Sequence, residues 1–294
     1  MNRARFSHSV FKNIASVLVL SASVAFADEE PPPMVTGTTA ATAGWSDQII
    51  DNGLVMPASD LGLYGDLEVR RNTTTAPPIP PANMGIITHN TAFNIVAGAG
   101  YGVTDLITLG GQWVIPVADA DGALSNAGRI TGFGGYSISR DDKMALVAGG
   151  DITVDFAGSA TGILHAGVSL RYKLAPKVVI YTGNPLAPGP YGEQIVVGLN
   201  NSSAIAIDLP VGFGFQIDPK TFLWAETQLA HIKLGGNTTN QFFIADFLPL
   251  EIGALHRATK DIDIGGFVDF PDLEHIGDYY AVGVMARYYK HHGK

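Results

Sequence analysis

The sequence predicts an all-β fold: a closed antiparallel up-and-down transmembrane β-barrel of about twelve strands over residues 59–289. Three observations carry that expectation. Long stretches alternate apolar and non-apolar residues with period two, the pattern of a strand with two unlike faces. The connections between these stretches alternate between tight turns and longer, irregular loops. Only 15% of the residues are charged, whereas a soluble domain carries about 25%, so much of the solvated surface expected of a soluble protein is missing.

The chain begins with a basic stretch (Arg3, Arg5, Lys12), an apolar run from Ile14 to Val24, and Ala25-Phe26-Ala27. That order is the layout of a secretory signal peptide, expected over residues 1–27 with Ala25 and Ala27 as the small residues of the cleavage site. Losing it leaves a chain more acidic than the formal net charge of −9. No later stretch is apolar for long enough to cross a bilayer as a helix. Residues 28–58 are expected in the periplasm: 28–44 is a Pro-, Thr- and Ala-rich linker, and Trp45 to Pro57 is a candidate plug or partner-binding segment.

Zero cysteines exclude disulfides, thiolate metal sites and cysteine nucleophiles. The 18 basic residues against 27 acidic ones also argue against nucleic acid as a partner.

From residue 59 onward the two-faced ribbon recurs twelve times: 59–71, 87–101, 105–117, 127–139, 143–156, 161–173, 177–184, 203–217, 221–234, 246–258, 261–270 and 278–289. In the first, Leu61, Leu63, Gly65, Leu67 and Val69 alternate with Gly62, Tyr64, Asp66, Glu68 and Arg70. Met144 through Phe156 sets one apolar row against Lys143, Asp151, Thr153 and Asp155, and Leu164 through Tyr172 opposes His165, Ser169, Arg171 and Lys173. Ile205 through Ile217 places apolar residues on odd positions, and the last segment sets Tyr280, Val282, Val284, Ala286 and Tyr288 against Ala281, Gly283, Met285 and Arg287. Val178-Val179-Ile180 does not alternate, which makes 177–184 the weakest pattern. Most segments are long enough to supply the about 9–11 residues that a tilted strand needs to cross a bilayer.

Tight turns fall at 102–105, 140–143, 175–176, 218–220 and 259–260, while 72–86, 118–126, 185–202, 235–245 and 271–277 are longer, with 157–160 the one short exception among them. Short turns on one side and long loops on the other is the rhythm of outer-membrane barrels. With an even strand count, both chain ends return to the short-turn side.

A soluble barrel would have its apolar rows inside, and a membrane barrel has them outside. The thinly charged polar face, rich in Gly, Ser, Thr and Ala, favours the second. So do the aromatic residues at the ends of apolar rows, expected at the interface: Tyr101, Tyr136, Phe156, Phe270, Tyr280 and Tyr288. In hydrocarbon an open sheet edge leaves amides unpaired, so the strands must close on themselves.

On this strand rhythm, on the hairpin Tyr101-Gly102-Val103-Thr104-Asp105-Leu106-Ile107-Thr108-Leu109, and on a last strand ending at Tyr288-Tyr289, residues 59 to 289 resemble the bacterial outer-membrane β-barrel proteins of the porin-like or channel class. The resemblance implies residence in the outer membrane of a Gram-negative bacterium, contact with its lipids, insertion by the barrel-insertion machinery, and passage of small solutes. The sequence departs from the class in continuing past the aromatic pair with a tail, residues 290–294.

If the apolar rows face lipid, the opposite positions line the lumen. The acidic lining is then Asp66, Glu68, Asp151, Asp155, Asp208, Glu226, Glu251, Asp261, Asp263 and Asp269, and the basic lining is Arg70, Arg129, Arg171, Lys173, Arg257 and Arg287, with His165 also inward. Such a wall is mildly acidic and would favour cations in a water-filled path. A set of mutually paired charges filling a narrow interior is the alternative.

Asp261 to Asp272 partly matches a calcium loop but lacks two ligand positions and reads better as a strand, so no metal is expected. No His-x-Ser pair suited to lipid hydrolysis occurs in the mature part, and no cofactor motif is present, so neither catalysis nor a cofactor is expected. The leading expectation is a passive, porin-like conduit. A non-conducting structural or partner-binding barrel and a secreted soluble β protein are the alternatives.

Overall fold

The computed structural model describes residues 46, 48–75, 87–119, 128–138, 144–154, 160–182, 195–200, 205–234, 241–243, 249–273 and 276–291. All belong to one compact unit, Ala43–Lys294. The expected signal peptide, its Ala25 and Ala27, the 28–44 linker, Asp155 and Phe156 lie outside the described residues.

Among the described residues the fold is all-β, with one short 3-10 turn at Ile49–Asp51. The strands are β1 Leu61–Thr75, β2 Ile87–Thr104, β3 Ile107–Asp119, β4 Gly128–Ser137, β5 Met144–Val154, β6 Ala160–Ala175, β7 Val178–Thr182, β8 Ile195–Asn200, β9 Ile205–Asp218, β10 Thr221–Leu234, β11 Gln241–Phe243, β12 Leu250–Thr259, β13 Ile262–Phe270 and β14 Tyr280–Lys290. Every pairing is antiparallel, and strands adjacent in sequence are mostly adjacent in space. The sheet is therefore an up-and-down meander.

Two features of the pairing position everything else. β1 pairs on one side with β2 and on the other with β14, from Leu61 opposite Lys290 to Arg71 opposite Tyr280. β9 pairs along its length with β10 and on its other side with both β7 and β8. β7 and β8 in turn lie end to end along β6, at Leu170–Ala175 and Ile163–Val168 respectively. β11 and β12 lie likewise along β10.

Four expectations are corrected here. Residues 185–202 are not one long loop, because Ile195–Asn200 forms β8, and residues 235–245 contain β11. Neither short run alternates, and a brief apolar stretch carries no period of its own. Asp261 is not a strand residue: it stands in the Lys260-Asp261 turn between β12 and β13. The tail starts later than expected, since Lys290 still pairs with Leu61.

The two faces differ as a membrane-facing and an enclosed face would. Leu63, Leu67, Ile95, Leu109, Trp113, Ile130, Leu146, Leu164, Ile252, Ile264, Val282 and Val284 are all exposed. The alternate positions hold the buried Thr108, Thr131, Ser169, Gln216, Glu226, Arg257, Asp263 and Arg287. In β14 burial switches at every residue from Ala281 to Lys290, so a slip of one residue would exchange the faces entirely.

Glycines on the enclosed face receive aromatic rings from the strand opposite. Tyr64 lies over Gly98, Tyr181 over Gly212, Trp224 over Gly253 and Phe267 over Gly283, each pair in direct cross-strand register. A ring laid flat on a glycine covers backbone that has no side chain of its own, and needs little room in a curved wall. Any β-carbon at Gly253 would run into the Trp224 indole. Gly253→Val is therefore expected to destabilise the folded chain by about 1–3 kcal/mol, read as a lower urea midpoint. An unchanged midpoint would show that the ring is free to move away.

Candidate functional site

The enclosed face is where a function must be sought, and its lining is not uniformly polar. Val179 and Tyr181 on β7, Phe222 and Trp224 on β10, Leu255 on β12 and Met285 on β14 make a buried apolar band, with Phe267 of β13 packed at its edge. Ile49 and Ile50, from the segment that precedes β1, complete this cluster. The segment thus packs against the buried face of the sheet, and its side chains Leu54, Val55 and Met56 are buried with it.

Polar groups of the wall hold the segment along its length. Gln216 accepts a hydrogen bond from the Ile50 amide (2.9 Å), and the Thr108 hydroxyl accepts one from the Met56 amide (2.6 Å). Asp105, in the β2–β3 turn, accepts from the Ala58 amide (3.0 Å). Lys173 pairs with Asp51, and the Arg257 guanidinium donates to the Ser46 carbonyl. The chain then turns into β1 at Ser59, whose φ of 68° is unusual for a residue with a side chain. The Ser59 amide donates to the Gly102 carbonyl (2.7 Å), and the Gly102 amide returns the bond to Asp60 (3.0 Å). Pro57 approaches Gly102 so closely that no larger residue fits there.

The C-terminal end of the chain closes the same corner. His291 Nδ1 lies 2.8 Å from the Asp60 carboxylate and its ring stacks on Tyr289. Tyr289 is buried and Tyr288 exposed, so of the two terminal aromatics only Tyr288 lies on the apolar outer face.

The residues expected on the lumen divide into several groups. Arg257 and Asp263 form a two-pronged ion pair (2.8 and 3.2 Å) in a fully buried setting. Burying both charges is tolerable because each guanidinium N–H and each carboxylate oxygen involved has a partner. Arg70 pairs with Glu68 (3.0 Å), which also accepts from Asn94 (3.1 Å). Glu226, Glu251 and Asp269 stand side by side on β10, β12 and β13. Arg287 is buried and interacts with both Asp66 and Glu251. Arg171 is half-buried in β6, whereas Arg129 is exposed near the start of β4. Lys173 is spent on the inserted segment and Asp261 on the turn, near His291 (3.8 Å). Asp151, His165 and Asp208 lie in β5, β6 and β9, with side chains outside the described residues.

Of the expected interfacial aromatics, Tyr101, Tyr136 and Tyr288 are exposed near the short turns. Phe270 and Tyr280 are half-buried at the opposite end of their strands. Tyr280 and Tyr288 share the outer face of β14 and bracket Val282, Val284 and Ala286. Sequence reasoning missed the apolar band. Trp224, Phe222 and Met285 fall on the alternate positions that the pattern assigns to polar groups, and their shared location emerges only from strand register.

No protein-family profile matches the chain, and no curated protein matches it. Solved structures similar to it include an outer membrane channel from Pseudomonas putida F1, at 14% identity over 82% of this chain and 98% of that one, with a TM-score of 0.47. The translocator domain of autotransporter NalP from Neisseria meningitidis is similar at 10% identity over 96% and 97%, with a TM-score of 0.49. The KdgM porin is similar at 8% identity over 77% and 99%, with a TM-score of 0.44.

Proposed function

We propose that this chain is an outer-membrane β-barrel serving as a conduit for small solutes, with the segment from Ser46 to Asp60 seated in its mouth as a plug. The observation that carries this reading is the sidedness of the sheet: rows of Leu, Ile, Val and Trp on the exposed face, and Thr, Gln, Glu, Asp and Arg on the enclosed one. In water that distribution is unfavourable, since each exposed leucine or valine forgoes about 1.5–3 kcal/mol of burial. Against acyl chains it is the favoured arrangement.

The pairing of β1 with both β2 and β14, and of β9 with β10, supports closure of the sheet into a barrel. With β7 and β8 taken as two halves of one stave, and β11 and β12 as two halves of another, such a ring would have twelve staves. An open edge in hydrocarbon would leave a row of unpaired amides, each costing several kcal/mol. The basic and apolar N-terminal run supports export to that membrane through a cleaved signal peptide.

The acidic excess that the sequence alternation expects on the inward positions supports a preference for cations. The test is current through planar bilayers holding the purified full chain under a salt gradient. The reading expects intermittent openings with a reversal potential on the cation side; an anion-side reversal would contradict the preference.

The inserted segment favours one further reading, a barrel that never conducts. Under it, no current arises from the native chain or from a chain whose plug has been loosened.

A further inference from the structure

We propose that the outer face carries a site for the phosphate of an anionic lipid headgroup, formed by Arg71 with Tyr280 and Thr91 at the long-loop end of β1, β14 and β2. This goes beyond the conduit reading and rests on one part of it, the membrane-facing outer side of the sheet.

The register places Arg71 on that side. Residues 61–71 of β1 pair without a shift with both β14 and β2, so every odd position from Leu61 onward shares one face. Leu63 and Leu67 on that face are exposed, and Arg71 ends the row. From Leu61 to Arg71 the chain covers about 34 Å of strand, or about 24 Å of height at a tilt of about 45°. The apolar band of an outer-membrane barrel is about 25 Å tall. The guanidinium therefore stands where hydrocarbon gives way to headgroups, and not at the depth where a charge on the lipid face is costly. Tyr280, directly opposite on β14, marks the same level, since tyrosine favours that boundary.

The protein supplies Arg71 with no counter-charge. Among the described residues, no acid occupies an outward position of β13, β14, β1 or β2. The next residue back, Arg70, is on the opposite face and has Glu68. The Arg71 Nε is enclosed by its surroundings, yet no hydrogen-bond acceptor reaches it, and the side chain forms no ion pair among the described residues. A guanidinium so placed calls for an acceptor from outside the chain.

Its neighbours narrow the choice of acceptor. Tyr280 and Thr91 lie directly opposite Arg71 on its two sides, both half-buried. A phenol, a guanidinium and a hydroxyl thus form one row across three strands, and all three can donate. A phosphate offers several acceptor oxygens, and the planar fork of arginine fits two of them at once. Lys290 provides an internal contrast. It is exposed at the short-turn end of the same face, but the residue opposite it on β1 is Leu61.

The test compares urea unfolding of the full chain in two kinds of phosphatidylcholine vesicle, one carrying a minor fraction of dioleoylphosphatidic acid and the other the same fraction of dioleoylglycerol succinate. Both additives are anionic, and only the first bears a phosphomonoester. The native chain is expected to have an unfolding constant about tenfold smaller with phosphatidic acid, the margin of a hydrogen bond to a charged group. Arg71→Gln is expected to abolish that difference and Arg71→Lys to keep part of it, because a lysine retains the charge without the fork. Lys290→Gln is expected to leave it intact. Equal midpoints for the native chain in the two vesicles would overturn the site while leaving the barrel standing, as would equal losses from Arg71→Gln and Lys290→Gln, which would show a general attraction of charge. Failure of the native chain to insert into either vesicle would defeat the membrane reading and this site with it.

Discussion

The chain carrying both Ile49→Asp and Ile50→Asp is expected to stay open in planar bilayers, whereas the native chain is expected to open only intermittently. Both side chains are buried in the apolar band against Phe222, Trp224 and Leu255. Removing them forfeits about 1.5–3 kcal/mol each, and two new carboxylates would have to share the interior with Glu226 and Glu251. Because about 1.4 kcal/mol is a factor of ten, the plugged state should lose on the order of a hundredfold or more in population. The hydrogen bonds from Gln216 and Thr108 can reform with any residue, since they engage backbone amides. They hold the segment near the mouth but do not seal it. The strands make none of their own pairings through residues 49 and 50, so the variant should show the same compact, heat-modifiable gel band that a barrel reading expects of the native chain. A silent bilayer from a properly folded variant would favour the non-conducting reading.

The second large effect is expected at the outer face. Leu67, at the middle of β1, is 58% exposed, and its neighbours in register are Ile95 on one side and Val284, also 58% exposed, on the other. Leu67→Arg places a guanidinium near the middle of the exposed apolar face, where a transmembrane strand loses about 2–4 kcal/mol. Urea unfolding in lipid vesicles should show that loss. In a barrel bathed in water the same exchange falls within about 0.5 kcal/mol of neutral, so a negligible change would argue that this face meets solvent.

Much of the fold is legible in the sequence because the strands are long and their two faces differ chemically. β1, β4 and β14 alternate residue by residue, and in β4 and β14 burial follows the same period. β8 and β11 escaped because Ile195-Val196-Val197 and Gln241-Phe242-Phe243 are too short and too uniform to carry a period. The site was legible only in its charges. Trp224 over Gly253 and Tyr181 over Gly212 depend on which residues of separate strands face each other, and no local pattern encodes that. The plug had a signal that alternation could not express. Ile49, Ile50, Leu54, Val55 and Met56 crowd a segment without any strand or helix period, and apolar residues so placed have to be covered by something.

The outward direction of the apolar rows is tested most directly by tryptophan quenching from lipid. Trp113 is 46% exposed on the outer face of β3, while Trp224 is 1% exposed inside. Two single-tryptophan chains serve, one keeping Trp113 and the other Trp224, with Trp45 replaced by phenylalanine in both. Reconstituted in vesicles of brominated phosphatidylcholine, the chain with Trp113 should lose most of its fluorescence and the chain with Trp224 should keep nearly all of it. Strong quenching of Trp224 with Trp113 left bright would place the apolar rows inward and contradict the account.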